Sequence, residues 1–180
     1  MDFNIFKNGL EIDSVTTECT WDGQYISSEP PSGYNLLCSE DLFPTVNLKP
    51  KSKADFTVVA LGGISIQAEE AIKELFELDE IIIDIFMPTQ LYPFCVQTLE
   101  NSLSDTRKLV VIEEGQGFAS IGSEIITRVV EDYSNLNVMC NRIYASETPI
   151  PASRPLEDQC LPSTDKIVSK IREFHARYYQ

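Results

Sequence analysis

The sequence predicts an α/β fold: a three-layer sandwich in which a mainly parallel sheet of four or five strands carries helices on both faces. Two observations lead there. Short runs rich in Val and Ile alternate along the chain with helical patterns, and three of those runs are nearly continuous in apolar residues instead of alternating with polar ones. A continuous run suits a strand covered on both faces, as in parallel sheets, and strand-helix alternation with right-handed crossovers yields such a sheet. With 180 residues, 43% hydrophobic and 23% charged, the chain suits one domain with an appended arm.

The expected strands are Phe56 to Leu61, Ile81 to Phe86, Leu109 to Ile112 and Val138 to Ile143. Between the first two, Ile64, Ala68, Ala71, Ile72, Leu75 and Phe76 fall on one helical face while Glu69, Glu70, Lys73 and Glu74 take the other. A second helix follows Pro93, with Val96, Leu99 and Leu103 inward. A third carries Phe118, Ile121, Ile125, Val129 and Tyr133 on one stripe. The last begins after Leu161-Pro162, where Ser163 or Thr164 can cap and Asp165 favours the positive helix start; Ile167, Val168, Ile171, Phe174 and Tyr178 form its apolar face.

Residues 1–53 read as an irregular arm or linker, because Pro30, Pro31, Gly33, Pro44 and Pro50 break every pattern, and residues 54–180 as the α/β domain. Trp21 and Tyr25 are the expected anchors of the arm, since large aromatics bury well in irregular segments. Pro149, Pro151 and Pro155 fix an extended connection ahead of the last helix.

A net charge of -14 opposes phosphate backbones and anionic lipid heads, so neither nucleic acid nor a membrane surface is an expected partner. No stretch reaches the roughly 20 apolar residues of a membrane helix, and Met1-Asp2-Phe3-Asn4 lacks the build of a signal peptide; a cytoplasmic location is expected. Five cysteines without a C-x-x-C pair and a single histidine, His175, offer no local zinc set; reduced, mostly buried thiols are expected. His175 itself reads as an exposed surface residue near the end of the last helix.

Chemistry concentrates at the strand-to-helix turns. Gly62-Gly63 follows a strand and opens a helix, where backbone amides can hold an anion or glycine can relieve a tight turn. Gly117, Phe118 and Gly122 lie in a second such turn, at the wrong spacing for a dinucleotide fingerprint; Gly122 is expected to admit another backbone, in the same sheet or across a subunit boundary. Glu113 and Glu114 end the third strand. Adjacent strand residues point to opposite faces, so the pair reads as one solvated glutamate and one that bonds helix amides or a neighbour.

Leu109-Val110-Val111-Ile112-Glu113-Glu114-Gly115, Gly117-Phe118-Ala119 through Gly122-Ser123-Glu124-Ile125, and Thr148-Pro149-Ile150-Pro151 with Leu156-Glu157 and Leu161-Pro162 stand in a telling order and spacing. Together with Thr57-Val58-Val59-Ala60-Leu61-Gly62 and Ala68, Glu70 and Ala71, they resemble the C-terminal domain of the transketolase family over residues 54–175. The likeness is strongest to the beta subunit of the first component of pyruvate or branched-chain 2-oxo-acid dehydrogenase complexes.

The resemblance implies a three-layer α/β domain that packs against other domains or subunits and helps organise a dimer or heterotetramer. Thiamine diphosphate and magnesium are implied for the parent enzyme, held in other domains by a Gly-Asp-Gly motif, a downstream asparagine and an activating glutamate. This chain contains no Gly-Asp-Gly, and 53 residues are too few for a middle domain of about 150. Where the family has Leu-Arg-Thr after an aspartate, this sequence runs Asp84-Ile85-Phe86-Met87-Pro88, without the arginine.

The expectation is therefore a non-catalytic assembly domain of a thiamine-diphosphate-dependent enzyme, with no catalytic, cofactor-binding or metal-binding residue of its own. The alternative is a stand-alone regulatory or small-anion-binding module. Gly62, Gly63, Glu114, Gly117, Phe118, Gly122, Pro149 and Pro151 are the interface or anion-turn candidates, and a homodimer through the Gly117 to Gly122 helix is expected. An independent hydrolase or transferase using Glu113 or Glu114 is the weakest reading, for want of a partner set around the carboxylate.

Overall fold

The computed structural model describes residues 19–21, 24–26, 30–39 and 42–178. In chain order the strands are β1 (Cys19–Trp21), β2 (Gln24–Ile26), β3 (Tyr34–Cys38), β4 (Thr45–Pro50), β5 (Phe56–Leu61), β6 (Ile83–Pro88), β7 (Lys108–Gln116) and β8 (Met139–Ala145). The helices are α1 (Ser65–Asp79), α2 (Glu100–Thr106), α3 (Ile121–Asp132), α4 (Arg154–Cys160) and α5 (Thr164–Tyr178). β1 and β2 form a separate antiparallel pair, and the other six strands form one sheet in the order β3-β4-β6-β5-β7-β8. β6, β5, β7 and β8 run parallel; β3 and β4 are antiparallel additions at one edge.

β5 is buried along its whole length, which is why it reads as an unbroken apolar run. Phe56, Val58 and Ala60 face one side, where Ala71, Ile72 and Leu75 of α1 meet Ile167, Val168 and Ile171 of α5. Val59 and Leu61 face the other, beneath Leu103 of α2 and Ile125 and Val129 of α3. Each of the larger apolar side chains among them contributes about 1.5–3 kcal/mol through burial, and both faces together make the three-layer sandwich. Thr57 points to the second face, where its hydroxyl lies 2.7 Å from both Ser102 Oγ and Thr106 Oγ1 of α2, so its polar group is satisfied inside the core.

The sheet has six strands against the four or five expected. The additional pair comes from residues 34–50, which read as irregular, and places two elements of the sheet before the expected boundary at 53/54. Asn47 explains the pairing: its amide donates to Asp84 Oδ1 at 2.7 Å and to the Ile85 carbonyl at 2.9 Å, joining β4 to β6 through a buried polar bridge. Trp21 and Tyr25, the expected anchors of the arm, have side chains outside the described residues.

Smaller differences have local causes. β6 starts two residues later than expected because Ile81 N–H bonds the Leu75 carbonyl and Ile82 N–H bonds Asp55 Oδ2, so both amides close the exit from α1. The connection after Pro149 is not extended throughout: Arg154–Cys160 form α4, with Pro155 in the first turn, where its missing N–H is tolerated. His175 is half-buried, its ring centroid 6.2 Å from that of Phe56, because it follows Phe174 on the inner side of α5. Ser163 caps α5, accepting from Lys166 N–H at 3.2 Å.

Cys95, Cys140 and Cys160 are free thiols, and of these Cys95 is exposed while the other two are half-buried, a wetter set than expected. Burial pushes the Cys140 thiol up to about 11. Because the thiolate is the nucleophile, a raised value leaves less of it at every pH below that. Iodoacetamide at mildly alkaline pH is expected to alkylate Cys95 about tenfold or more faster than Cys140, read peptide by peptide by mass spectrometry. Replacing Leu75 by Ala at the α1–α5 seam is expected to cost about 2–5 kcal/mol in urea unfolding.

Candidate functional site

All four parallel strands end at one edge of the sheet, and the turns that follow them lie side by side there. Open α/β sheets place their functional surfaces at this carboxyl edge. After β5 the chain turns through a 3-10 segment, Gly62–Ile64, with Gly62 at φ 79°, a left-handed conformation that glycine adopts without a Cβ clash. Ser65 Oγ donates to the Gly62 carbonyl at 2.7 Å, which fixes the entry to α1.

The turn after β7 is organised by Glu113. Its side chain follows the parity of Leu109 and Val111 toward α3, and the residue is 5% exposed. Ser120 Oγ donates to Glu113 Oε1 at 2.7 Å, and Gly122 N–H donates to Glu113 Oε2 at 3.3 Å. Ser120 also caps α3, its hydroxyl accepting from Ser123 N–H at 3.2 Å. The N-terminus of α3, a place that favours an anion, thus holds a carboxylate from its own chain.

Gly122 makes the room. A Cβ there would lie 2.4 Å from Glu113 Oε1 and 3.1 Å from Val111 Cγ1. Within the chain the close approach is therefore by a side chain of the neighbouring strand, where another backbone was expected. Gly117 does the same for Tyr144, whose ring atoms would stand 2.6 to 2.7 Å from an added Cβ.

Arg142 of β8 completes the cluster. Its Nη1 lies 2.6 Å from the Gly117 carbonyl, 2.5 Å from Ser123 Oγ and 3.2 Å from Ser120 Oγ, so that its two hydrogens are shared among three acceptors, and the guanidinium lies 5.2 Å from the centre of the Tyr144 ring. Ser120 stands between Glu113 and Arg142, so opposite charges are linked through a hydroxyl without direct contact. The arrangement positions; it offers no nucleophile aligned with a base.

Around this turn exposed apolar side chains stand beside the exposed polar Glu114 and Gln116. Leu91, Phe118 and Ile121 line a shallow cavity of about 520 Å³ together with Leu61 and Gly62, and Tyr92 stands beside Leu91 in the sequence. Tyr92 and Phe118 are each 85% exposed and Ile121 is 42% exposed. The inward stripe expected for Phe118 and Ile121 is thus corrected: α3 starts only at Ile121, and Ala119, at φ 50°, turns the preceding residues outward.

The remaining candidates are scattered. Glu114 is exposed, Pro149 is exposed and Pro151 is half-buried, and the segment that carries the prolines is tied to β7 by Gln116 Nε2 donating to the Thr148 carbonyl at 2.9 Å. Ser120, Ser123 and Arg142 were not among the expected site residues, and Glu113 takes the helix-amide role that the sequence left open between Glu113 and Glu114. No group of three or more His, Cys, Asp or Glu suited to a metal ion occurs among the described residues.

Gly122→Ala is expected to destabilise the fold by about 1–3 kcal/mol in urea unfolding, because the new methyl displaces the carboxylate. In a Glu113→Ala background the same change is expected to cost at least about 0.5 kcal/mol less, the signature of coupled neighbours; additive costs would contradict the geometry.

The transketolase C-terminal domain family matches residues 45–167. The beta subunit of acetoin:2,6-dichlorophenolindophenol oxidoreductase from Bacillus subtilis is 32% identical over 150 residues, which cover 81% of this chain and 44% of that protein. The mitochondrial pyruvate dehydrogenase E1 component subunit beta of Caenorhabditis elegans is 26% identical over 146 residues, covering 79% of this chain and 41% of its own length. This chain therefore spans less than half the length of these curated relatives. Among solved structures, a split-gene transketolase described as an inactive beta4 tetramer superposes with a TM-score of 0.59 at 24% identity, over 68% of this chain and 40% of that one, and shares the fold. The chain belongs to the transketolase C-terminal domain family.

Proposed function

We propose that this chain is a non-catalytic assembly domain of a thiamine-diphosphate-dependent enzyme of the 2-oxo-acid dehydrogenase or transketolase kind, and that its carboxyl edge is the surface offered to the rest of that enzyme. The observation that carries the reading is the exposed apolar collar of Leu91, Phe118 and Ile121, with the exposed Tyr92 next to Leu91 in the sequence, beside a turn whose helix N-terminus is already filled by Glu113. An exposed apolar cluster marks a protein contact, whereas an occupied helix start leaves little for a ligand anion to gain. Thiamine diphosphate and magnesium belong, on this reading, to other domains of the parent protein.

The same geometry weighs against the small-anion module. A phosphate at the Gly117 turn would have to displace Glu113 or share its amide, at the cost of like-charge repulsion. If two copies of the chain associate through α3, the contact runs over Phe118 and Ile121, since Gly117 and Gly122 are buried against Tyr144 and Glu113. No described helix is long and apolar enough to cross a membrane, and a cytoplasmic site of action is part of the proposal.

Co-expression with the thiamine-enzyme subunits of the same organism, followed by size-exclusion chromatography, tests the proposal. The wild-type chain is expected to co-elute with them. The Tyr92→Ser, Phe118→Ser double variant is expected to keep its melting temperature and lose about tenfold or more in affinity, because aromatic anchors dominate such contacts. Unchanged association in the variant would refute the collar as the contact.

A further inference from the structure

Among the described residues β8 is the outer strand of the sheet on the side away from β3, and its pairing with β7 leaves one edge of its backbone without a partner strand. Met139 N–H donates to the Arg107 carbonyl, so Met139, Asn141 and Ile143 direct their backbone groups toward β7. By alternation, the amides and carbonyls of Cys140, Arg142 and Tyr144 point outward. Among the described residues no strand pairs with them. Lys166 Nζ covers the Tyr144 carbonyl at 3.3 Å.

A groove of about 670 Å³ runs along this edge between β8 and α5. It is lined by four cations, Arg142, Lys166, Lys170 and Arg177, against one carboxylate, Glu173. Lys170 and Arg177 both bond Glu173 at 2.8 Å, and Arg142 has no carboxylate within ion-pair distance among the described residues. In a chain of net charge -14, this is a local reversal of sign.

We propose that the open edge of β8 is a docking groove for an extended acidic peptide segment, which adds to the sheet as a seventh strand beside Cys140, Arg142 and Tyr144. Backbone pairing supplies the register, and Lys166, Lys170 and Arg177 supply the preference for acidic side chains. Lys166 acts as a guard over the last open carbonyl, in the way lysines blunt exposed strand edges, and swings to the incoming peptide. A second copy of this chain is a poor occupant, because edge-to-edge pairing would bring two cationic grooves together. This surface lies on the outer strand, and the proposal does not depend on the carboxyl-edge collar.

The test is a titration of the ¹⁵N-labelled full chain with a blocked peptide of alternating Glu and Val, followed by amide shifts. Saturable shifts centred on Cys140, Arg142 and Tyr144 are expected, with binding weakened by salt. The exposed pair Lys170→Glu, Arg177→Glu is expected to lower affinity about tenfold or more while leaving amide shifts elsewhere in the sheet in place. A Lys-Val peptide is expected not to bind. Absence of shifts at millimolar peptide, equal binding of the Lys-Val peptide, or shifts confined to the carboxyl edge would overturn the proposal. So would sedimentation showing a dimer whose formation protects the same three amides.

Discussion

The carboxylate of Glu113 ties together the end of β7, the start of α3 and the face of β8. A charge that is 5% exposed is costly unless its oxygens are bonded, and here Ser120 Oγ and Gly122 N–H meet them. Everything nearby is shaped by that requirement. Residue 122 must lack a side chain, residue 120 must cap the helix and donate to the carboxylate at once, and Arg142 reaches the same hydroxyl from the neighbouring strand. The turn is a closed polar network, and such networks fix a single local geometry when every member is satisfied.

That network decides what faces solvent. With the helix start filled and Ala119 in a left-handed conformation, the chain between Gly117 and Ser120 projects Phe118 outward beside Leu91. The sheet brings this turn next to the one after β5, because β5 and β7 are parallel neighbours that end together. An apolar rim around a polar, internally satisfied centre has the character of a contact surface. The chain belongs to the transketolase C-terminal domain family and spans less than half the length of its longer relatives, and the proposal that it works beside other domains builds on both.

Much of the fold was legible because burial writes itself into composition. β5 is apolar throughout since both faces are covered, and the α5 stripe of Ile167, Val168, Ile171 and Phe174 is buried as its spacing indicates. β3 and β4 were not legible, because Asn47 and Lys49 interrupt the apolar pattern and Pro44 and Pro50 bound it. Their place rests on the backbone pairing of β4 with β6 and on Asn47 meeting Asp84 and Ile85, contacts across 37 and 38 residues with no local signal. At the site, alternation indicated one inward and one outward glutamate without choosing between them. Parity with Leu109 and Val111, read together with the small residue at 122, would have chosen Glu113. Arg142 was beyond reach, since nothing on β8 announces a partner on the turn before α3.

The central claim is that the anion at the start of α3 is the chain's own, and that the carboxyl edge meets protein and not cofactor. Calorimetric titration of the full chain with thiamine diphosphate and magnesium, and separately with inorganic phosphate, tests this most directly. The account predicts no saturable heat with either. Tight, magnesium-dependent binding of thiamine diphosphate, abolished by bulky substitution at Gly63 or Gly117, would contradict it.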